Sequence, residues 1–331
     1  MVLHGGEMKY RVLGKTGFKV SEIGFGSWQL GGTEWGHQND EDSVKALHLA
    51  IDKGVNFIDT AAVYGNGRSE QLVGKVVRER KEKIFICTKT PPAEGPWPPT
   101  PYCIADERYP EAYLRKNVEE RLEMLGVEQL DILLLHTWTR AWNGNPTPFR
   151  VLESLKNEGK VNYIGVSTPE HDQNSINDLM RKGIIDVAEV IYNIFEQEPA
   201  SQLFPLAEEN NVGIIGRVPF DEASLTGKLK ETTTFGDNDF RRNYFSGDRL
   251  KRTVQRVAKI EEDSRGWGLT MPQIALLFAL RHPAVGTVIP GMRNASHVEE
   301  NTAVSDMPPL SEQMMEALKK HAWMRAFWYA G

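Results

Sequence analysis

The sequence predicts an α/β fold, a closed (β/α)8 TIM barrel with an N-terminal hairpin, extra helices and long loops on its C-terminal rim. Three observations carry that expectation. Eight short apolar runs recur along the chain, each followed by a segment with helical spacing. The runs are almost continuously apolar, as strands buried on both faces are. The 331 residues contain no Pro/Gly/Ser linker, so the units read as one domain over 1–331, with its core at about 9–305.

Residues 9–13 and 18–20 flank Lys15-Thr16-Gly17 and read as the hairpin. SEIGFGS (21–27) is the first barrel strand, followed by a Gly/Trp-rich loop over 28–38. In the helix after it, Val44, Leu47, Ala50 and Ile51 fall on one face and Gly54 ends the run. Strands are then predicted at 56–60, 84–89, 130–136, 163–167, 187–193, 213–218 and 286–290. The helices between and after them fall at 68–79, 110–125, 147–158, 173–182, 199–210, 249–264 and 295–304. An extra helix at 271–281 precedes the last strand, and the tail carries another at 311–322. Right-handed crossovers make such a sheet parallel.

A net charge of −6 argues against a nucleic-acid partner, since no basic excess would offset phosphate. The longest apolar runs are too short to span a bilayer, and MVLHGGEMKYR lacks the apolar core of a signal peptide. A cytoplasmic protein with no membrane partner is expected. Two cysteines make no disulfide framework; Cys87, inside the apolar run IFIC, reads as a core thiol. The eight histidines form no HExxH and no close His/Cys pair, so no metal site is expected.

In such barrels the chemistry sits where the strands end. The polar residues at those ends are Asp59, Lys89, His136, Ser167, Glu189, Asn193 and Arg217, with Tyr64 in the loop just past Asp59. Singly, each has a plain structural role: a helix cap, a surface ring, a core histidine. Together they suit acid–base work. A phenol has a reference pKa of about 10, and a neighbouring ammonium favours its phenolate. A carboxylate keeps the ammonium charged and oriented, and an imidazole can position a carbonyl or pass a proton.

GVNFIDTAAVYG (54–65), the Thr-Lys pair after IFIC, DILLLH followed by Trp138, and VIPGMR…HVEEN together resemble the aldo-keto reductase superfamily. The likeness is greatest to the bacterial branch that also holds the voltage-gated potassium channel β-subunits. It implies reversible hydride transfer between NADP(H) and a small-molecule carbonyl or alcohol, with Asp59, Tyr64, Lys89 and His136 as the catalytic tetrad and Tyr64 as general acid. It places Trp28, beside Gly26 and Ser27, near substrate and nicotinamide. No complete GxGxxG is present; instead SLTGK, through Leu225, Gly227 and Lys228, resembles a pyrophosphate loop. After the last strand, Gly291, Arg293, His297, Glu300 and Asn301 match positions around the adenosine. There Arg293 is the natural ligand of a 2′-phosphate, which favours NADP(H) over NAD(H).

The sequence departs from that pattern at three places. Thr168 follows Ser167 where Asn is usual, Glu189 stands where Gln is usual, and Arg217 replaces an aromatic ring. An Arg217–Glu189 pair bracketing the nicotinamide is expected. Substrate choice is assigned to the 90–108 loop with Trp97, Cys103 and Arg108, and to 137–146 with Trp138, Arg140 and Trp142. The aromatic tail with Trp323, Phe327, Trp328 and Tyr329 is a pocket wall, a packing strap or an oligomer contact. Segment 231–247 either covers the cofactor or is a surface loop. Two other functions share the barrel: a non-catalytic nicotinamide-binding regulatory subunit, and a Schiff-base lyase using Lys89. Monomer and homo-oligomer both stay open.

Overall fold

The apolar runs, buried on both faces, pair into a parallel sheet that curls until its first and last strands meet. The computed structural model describes residues 7–97, 99–100 and 102–323. An antiparallel hairpin comes first, β1 (Tyr10–Val12) and β2 (Lys19–Ser21). Eight parallel strands follow: β3 (Phe25–Gly26), β4 (Phe57–Asp59), β5 (Phe85–Thr90), β6 (Leu130–Leu135), β7 (Val161–Ser167), β8 (Val187–Ile191), β9 (Gly213–Arg217) and β10 (Val285–Val288). They pair in chain order from β3 to β10. Parallel bridges Ile23–Val288 and Gly26–Gly291 join the two ends and close the barrel.

The helices are α1 (Asp40–Asp52), α2 (Arg68–Glu79), α3 (Ala105–Arg108), α4 (Glu111–Leu125), α5 (Thr147–Asn157), α6 (Asn177–Arg181), α7 (Leu203–Glu209), α8 (Arg241–Tyr244), α9 (Arg249–Asp263), α10 (Met271–Arg281), α11 (Ala295–Thr302) and α12 (Glu312–Lys319). Side chains cap several helix starts. Asn39 accepts from the amides of Glu41 and Asp42, and Thr270 and Gln273 form a reciprocal capping box. Among the described residues no helix is long and apolar enough to cross a membrane.

Several boundaries differ from expectation. The expected strand 21–27 narrows to Phe25–Gly26 with a bridge at Ile23. At Gly26 the seam is so tight that a Cβ would lie 2.6 Å from the Ile289 carbonyl. The expected helix 199–210 starts only at Leu203, because Pro205 lacks an N–H and fits a helix only in its first turn. A 3-10 turn at 173–176 replaces the first part of the expected helix 173–182. Two short helices, α3 and α8, lie inside segments read as loops.

Alternation sorts the side chains into two cores. Phe57, Phe85, Cys87, Ile132, Leu134, Val187, Ile215 and Ile289 fill the barrel with Leu13 and Val20 of the hairpin region. Leu13, fully buried, closes the bottom of the barrel: a Cβ at Gly213 or Gly286 would strike its side chain. Residues of opposite parity, such as Ile58, Ile86, Leu133 and Leu135, face the helices.

Candidate active site

Continuing the inward parity one step beyond the apolar filling places Asp59 after Phe57, Lys89 after Cys87, and His136 after Leu134. It places Glu189 after Val187 and Arg217 after Ile215. The barrel interior therefore turns from apolar to charged at its C-terminal mouth. Outward Thr88 confirms the phase, because its hydroxyl leaves the barrel to reach Glu70 of α2 at 2.6 Å.

Lys89 is fully buried and is the hub. Its ammonium donates to both oxygens of Asp59 at 2.5 and 2.6 Å and to the Thr60 carbonyl at 3.0 Å. The Tyr64 hydroxyl lies 3.4 Å away, and Glu189 Oε2 lies 3.2 Å away on a further side. Asp59, Cys87 and Glu189 also bring donor atoms within 4.8 Å of one another, an arrangement that could suit a metal. The Lys89 ammonium already supplies the positive charge there.

Tyr64 reaches this hub from a turn pressed against a second loop. Gly65 has φ +62°, and a Cβ there would lie 2.3 Å from the Gly31 carbonyl; a Cβ on Gly31 would lie 2.6 Å from the Gly65 nitrogen. The loop is thus held backbone to backbone. Beneath it, Ser27 Oγ donates to the Asp59 carbonyl at 2.6 Å and pairs with Ser69 Oγ at 2.7 Å.

Burial dominates the electrostatics. It pushes the Tyr64 phenol above its usual range; Asp59 and Glu189 add to that, while Lys89 and Arg217 oppose it. Lys89 thus pulls in the expected direction but is outweighed. Burial, followed by the Lys89 and Arg217 charges, holds His136 down to about 3, so its imidazole is neutral. Asp59 is raised by burial and by Glu189. For Glu189 burial is again the largest influence and pushes upward, but the cations Lys89 and Arg217 overcome it and keep the group below its usual range.

Above the hub opens a cavity of about 530 Å³. Of the residues expected around a cofactor, it is lined by Gly26, Ser27, Trp28, Asp59, Glu189, Arg217, Lys228, Gly291, Arg293, His297, Glu300 and Asn301, together with Tyr64 and His136. Ser167 lies beneath the wall, donating to Glu189 Oε1 at 3.1 Å, and Thr168 lines the cavity instead. Leu225 points into the core and Gly227 faces Glu261 and Met271; Thr226 between them reaches the cavity. Arg217 Nε stands 3.8 Å from Glu189 Oε1, so the two charges are neighbours.

At the far end, positive groups gather. Arg293 donates to the Gln38 side chain at 2.9 Å and to the carbonyls of Trp35 and His37 at 3.1 and 2.8 Å. Burial lowers the Arg293 guanidinium, and the Arg241 charge lowers it further. Burial and the Lys228 charge hold the His297 imidazole down. Asn294 caps α11 by accepting from the His297 amide at 3.0 Å.

The loops divide differently from expectation. Trp97 lines the cavity, but Trp138 and Trp142 are buried beside Phe149. Arg108 stitches its own loop through the carbonyls of Ala93, Gly95 and Pro96. Segment 231–247 pairs with the 28–38 loop: Trp35 bridges Asp239, and the Phe240 amide donates to Glu34 at 2.8 Å. Trp28, Trp35 and Phe240 pack together at 4.7–5.5 Å between ring centres. Trp323 is buried against Phe195, a strap contact; Phe327, Trp328 and Tyr329 lie outside the described residues. Sequence reasoning missed Gln38, Arg241 and Glu222 as neighbours of the site. The Glu222 carboxyl lines the cavity and is pushed to about 8 by burial and by Asp221. Its place three residues before Leu225 in the SLTGK segment was the available signal.

Comparison with known proteins agrees with the fold. "Aldo-keto reductase YhdN" of Bacillus subtilis is 26% identical over 93% of this chain and 92% of its own. A "Probable voltage-gated potassium channel subunit beta" of Arabidopsis thaliana is 27% identical over 92% of this chain and 93% of its own. A crystal structure of an aldo-keto reductase from Klebsiella pneumoniae in complex with NADPH superposes with a TM-score of 0.71. It is 24% identical and covers 99% of this chain and 98% of its own, a likeness of fold. The family model described as Aldo/keto reductase family matches residues 22–322, and the chain belongs to that family.

Proposed function

We propose that this protein is an NADP(H)-dependent oxidoreductase that reversibly reduces an aldehyde, ketone or sugar carbonyl to an alcohol. The observation that carries the reading is the Tyr64 hydroxyl, 3.4 Å from a buried ammonium and on the wall of a cavity that His136 also lines. The residues present fit the cofactor. Lys228 and Arg293 bring positive charge to one end, beside His297, Glu300 and Asn301, and Trp28, Glu189 and Arg217 line the wall near the hub. When bound, the dihydronicotinamide supplies the hydride.

The chain's own residues then handle the proton. Tyr64 donates it to the carbonyl oxygen, and Lys89 stabilises the phenolate left behind. Asp59 holds Lys89 charged and aimed. His136, neutral, orients the carbonyl oxygen by hydrogen bonding and takes no proton. Trp28, Val63 and Trp97 offer an apolar and aromatic wall to the substrate.

The channel-subunit relative motivates a second reading, a nicotinamide-binding regulatory subunit that does not turn over. An NADPH-oxidation assay over nitrobenzaldehyde, sugars and keto acids separates the two. Sustained oxidation with at least one carbonyl is expected. Tight NADPH binding with no oxidation across the panel would favour the regulatory reading. Loss of Arg293 tests the cofactor assignment: Arg293→Ala should weaken NADPH binding by ~10- to 100-fold, the scale of a charge-assisted contact. NADH binding should change little; an equal loss for both would argue against a 2′-phosphate contact.

A further inference from the structure

We propose that Glu189 is a positioning residue that competes with Tyr64 for the Lys89 ammonium. The inference rests on the reading of Tyr64 as the proton donor. An ammonium has three N–H bonds. Asp59 and the Thr60 carbonyl take the shortest contacts, at 2.5–3.0 Å. The Tyr64 hydroxyl takes a further hydrogen bond at 3.4 Å, while Glu189 Oε2, at 3.2 Å, pairs with the ammonium by charge without a hydrogen bond. Glu189 is the nearer of these two and carries the charge.

Glu189 is itself held in place. It is 1% exposed, its Oε1 accepts from Ser167 Oγ at 3.1 Å, and Arg217 stands beside it at 3.8 Å. Arg217 is fixed in turn by donating to the Thr168 carbonyl at 2.9 Å. Tyr64 therefore faces Asp59 from β4, Lys89 from β5, the neutral His136 beyond β6, Glu189 from β8 and Arg217 from β9. Two carboxyl groups and two cations surround the phenol. Removing the charge of Glu189 takes a negative charge from beside the phenol and favours phenolate, a gain reduced as Asp59, which Glu189 raises, ionises more readily; removing that of Arg217 does the reverse. Glu189 thereby keeps the phenol protonated to higher pH, which suits proton donation and so carbonyl reduction.

The test is the pH profile of kcat at saturating NADPH and aldehyde, and of the reverse oxidation. Glu189→Gln keeps size and polarity. Its alkaline loss of reduction and its alkaline rise of oxidation should both move down by about one pH unit, the scale set by a charge within a few ångströms. Arg217→Gln should move both up, and it tests the inference should Glu189→Gln not fold. Profiles unmoved in both variants, or moved oppositely to these directions, would overturn the inference. Tyr64→Phe separates the two failures. If it abolishes turnover while Glu189→Gln leaves the profile unmoved, the proton-donor reading stands and the Glu189 inference falls. If Tyr64→Phe keeps the same profile, the proton-donor reading falls.

Discussion

At the scale of single residues, protonation states decide what each group can do. His136 is half-buried on the cavity wall, and desolvation followed by the Lys89 and Arg217 charges holds it at about 3. A group with that value stays neutral from mildly acid to alkaline pH. The kcat profile for reduction should therefore show no histidine limb between about pH 5 and 8, where an ordinary imidazole titrates. A fall in kcat centred near the ordinary imidazole value, and removed by His136→Asn, would contradict this. That Asp59, Lys89 and His136 would share one rim was legible because each stands where an apolar run ends, and Tyr64 follows in the loop just past Asp59. Distances were not. That Lys89 would be shared between Asp59 and Glu189 depends on the curvature of the closed sheet, which brings β8 opposite β5.

At the scale of elements, the site depends on contacts that carry no chemistry. The Gly31–Gly65 backbone contact fixes the turn that presents Tyr64. Gly31→Ala forces those loops apart, since a Cβ has no room at 2.6 Å. It should lower kcat by ~10-fold or more while NADPH still binds, as small displacements of a catalytic group do. Unchanged kcat would show that the turn adapts freely. Behind the barrel, Glu70 of α2 lies 2.7 Å from Arg121 of α4, and both side chains are buried. Burial raises Glu70 to about 7 against the pull of Arg121 and Thr88. Arg121→Leu strands that carboxyl and should cost about 3–5 kcal/mol in urea unfolding. A loss below about 1 kcal/mol would mean that Glu70 is solvated. Neither contact could be read from the sequence. Glycine pairs that touch across loops leave no periodic trace, and a helix glutamate reads as solvated until the neighbouring helix is placed. Strands and long helices, by contrast, were legible because strands buried on both faces run almost continuously apolar and helix burial repeats about every 3.6 residues.

At the scale of the whole molecule, closure of the barrel makes separate strand ends into one site. The seam through Ile23–Val288 and Gly26–Gly291 brings Trp28 from the start of the chain to Arg293 near its end. The 28–38 and 231–247 loops add a shared wall, since Trp35 bridges Asp239 and Arg293 donates to the loop that carries Trp35. Which long loops would meet was not legible, because loop conformation follows specific hydrogen bonds rather than a repeating pattern. In the proposed function this mouth moves a proton from Tyr64 as hydride arrives. The most direct measurement compares wild type with Tyr64→Phe, following NADPH oxidation with an aromatic aldehyde alongside NADPH binding by fluorescence. A loss of turnover of ~100-fold or more with binding unchanged is the predicted result. Full turnover by the Phe variant would contradict it.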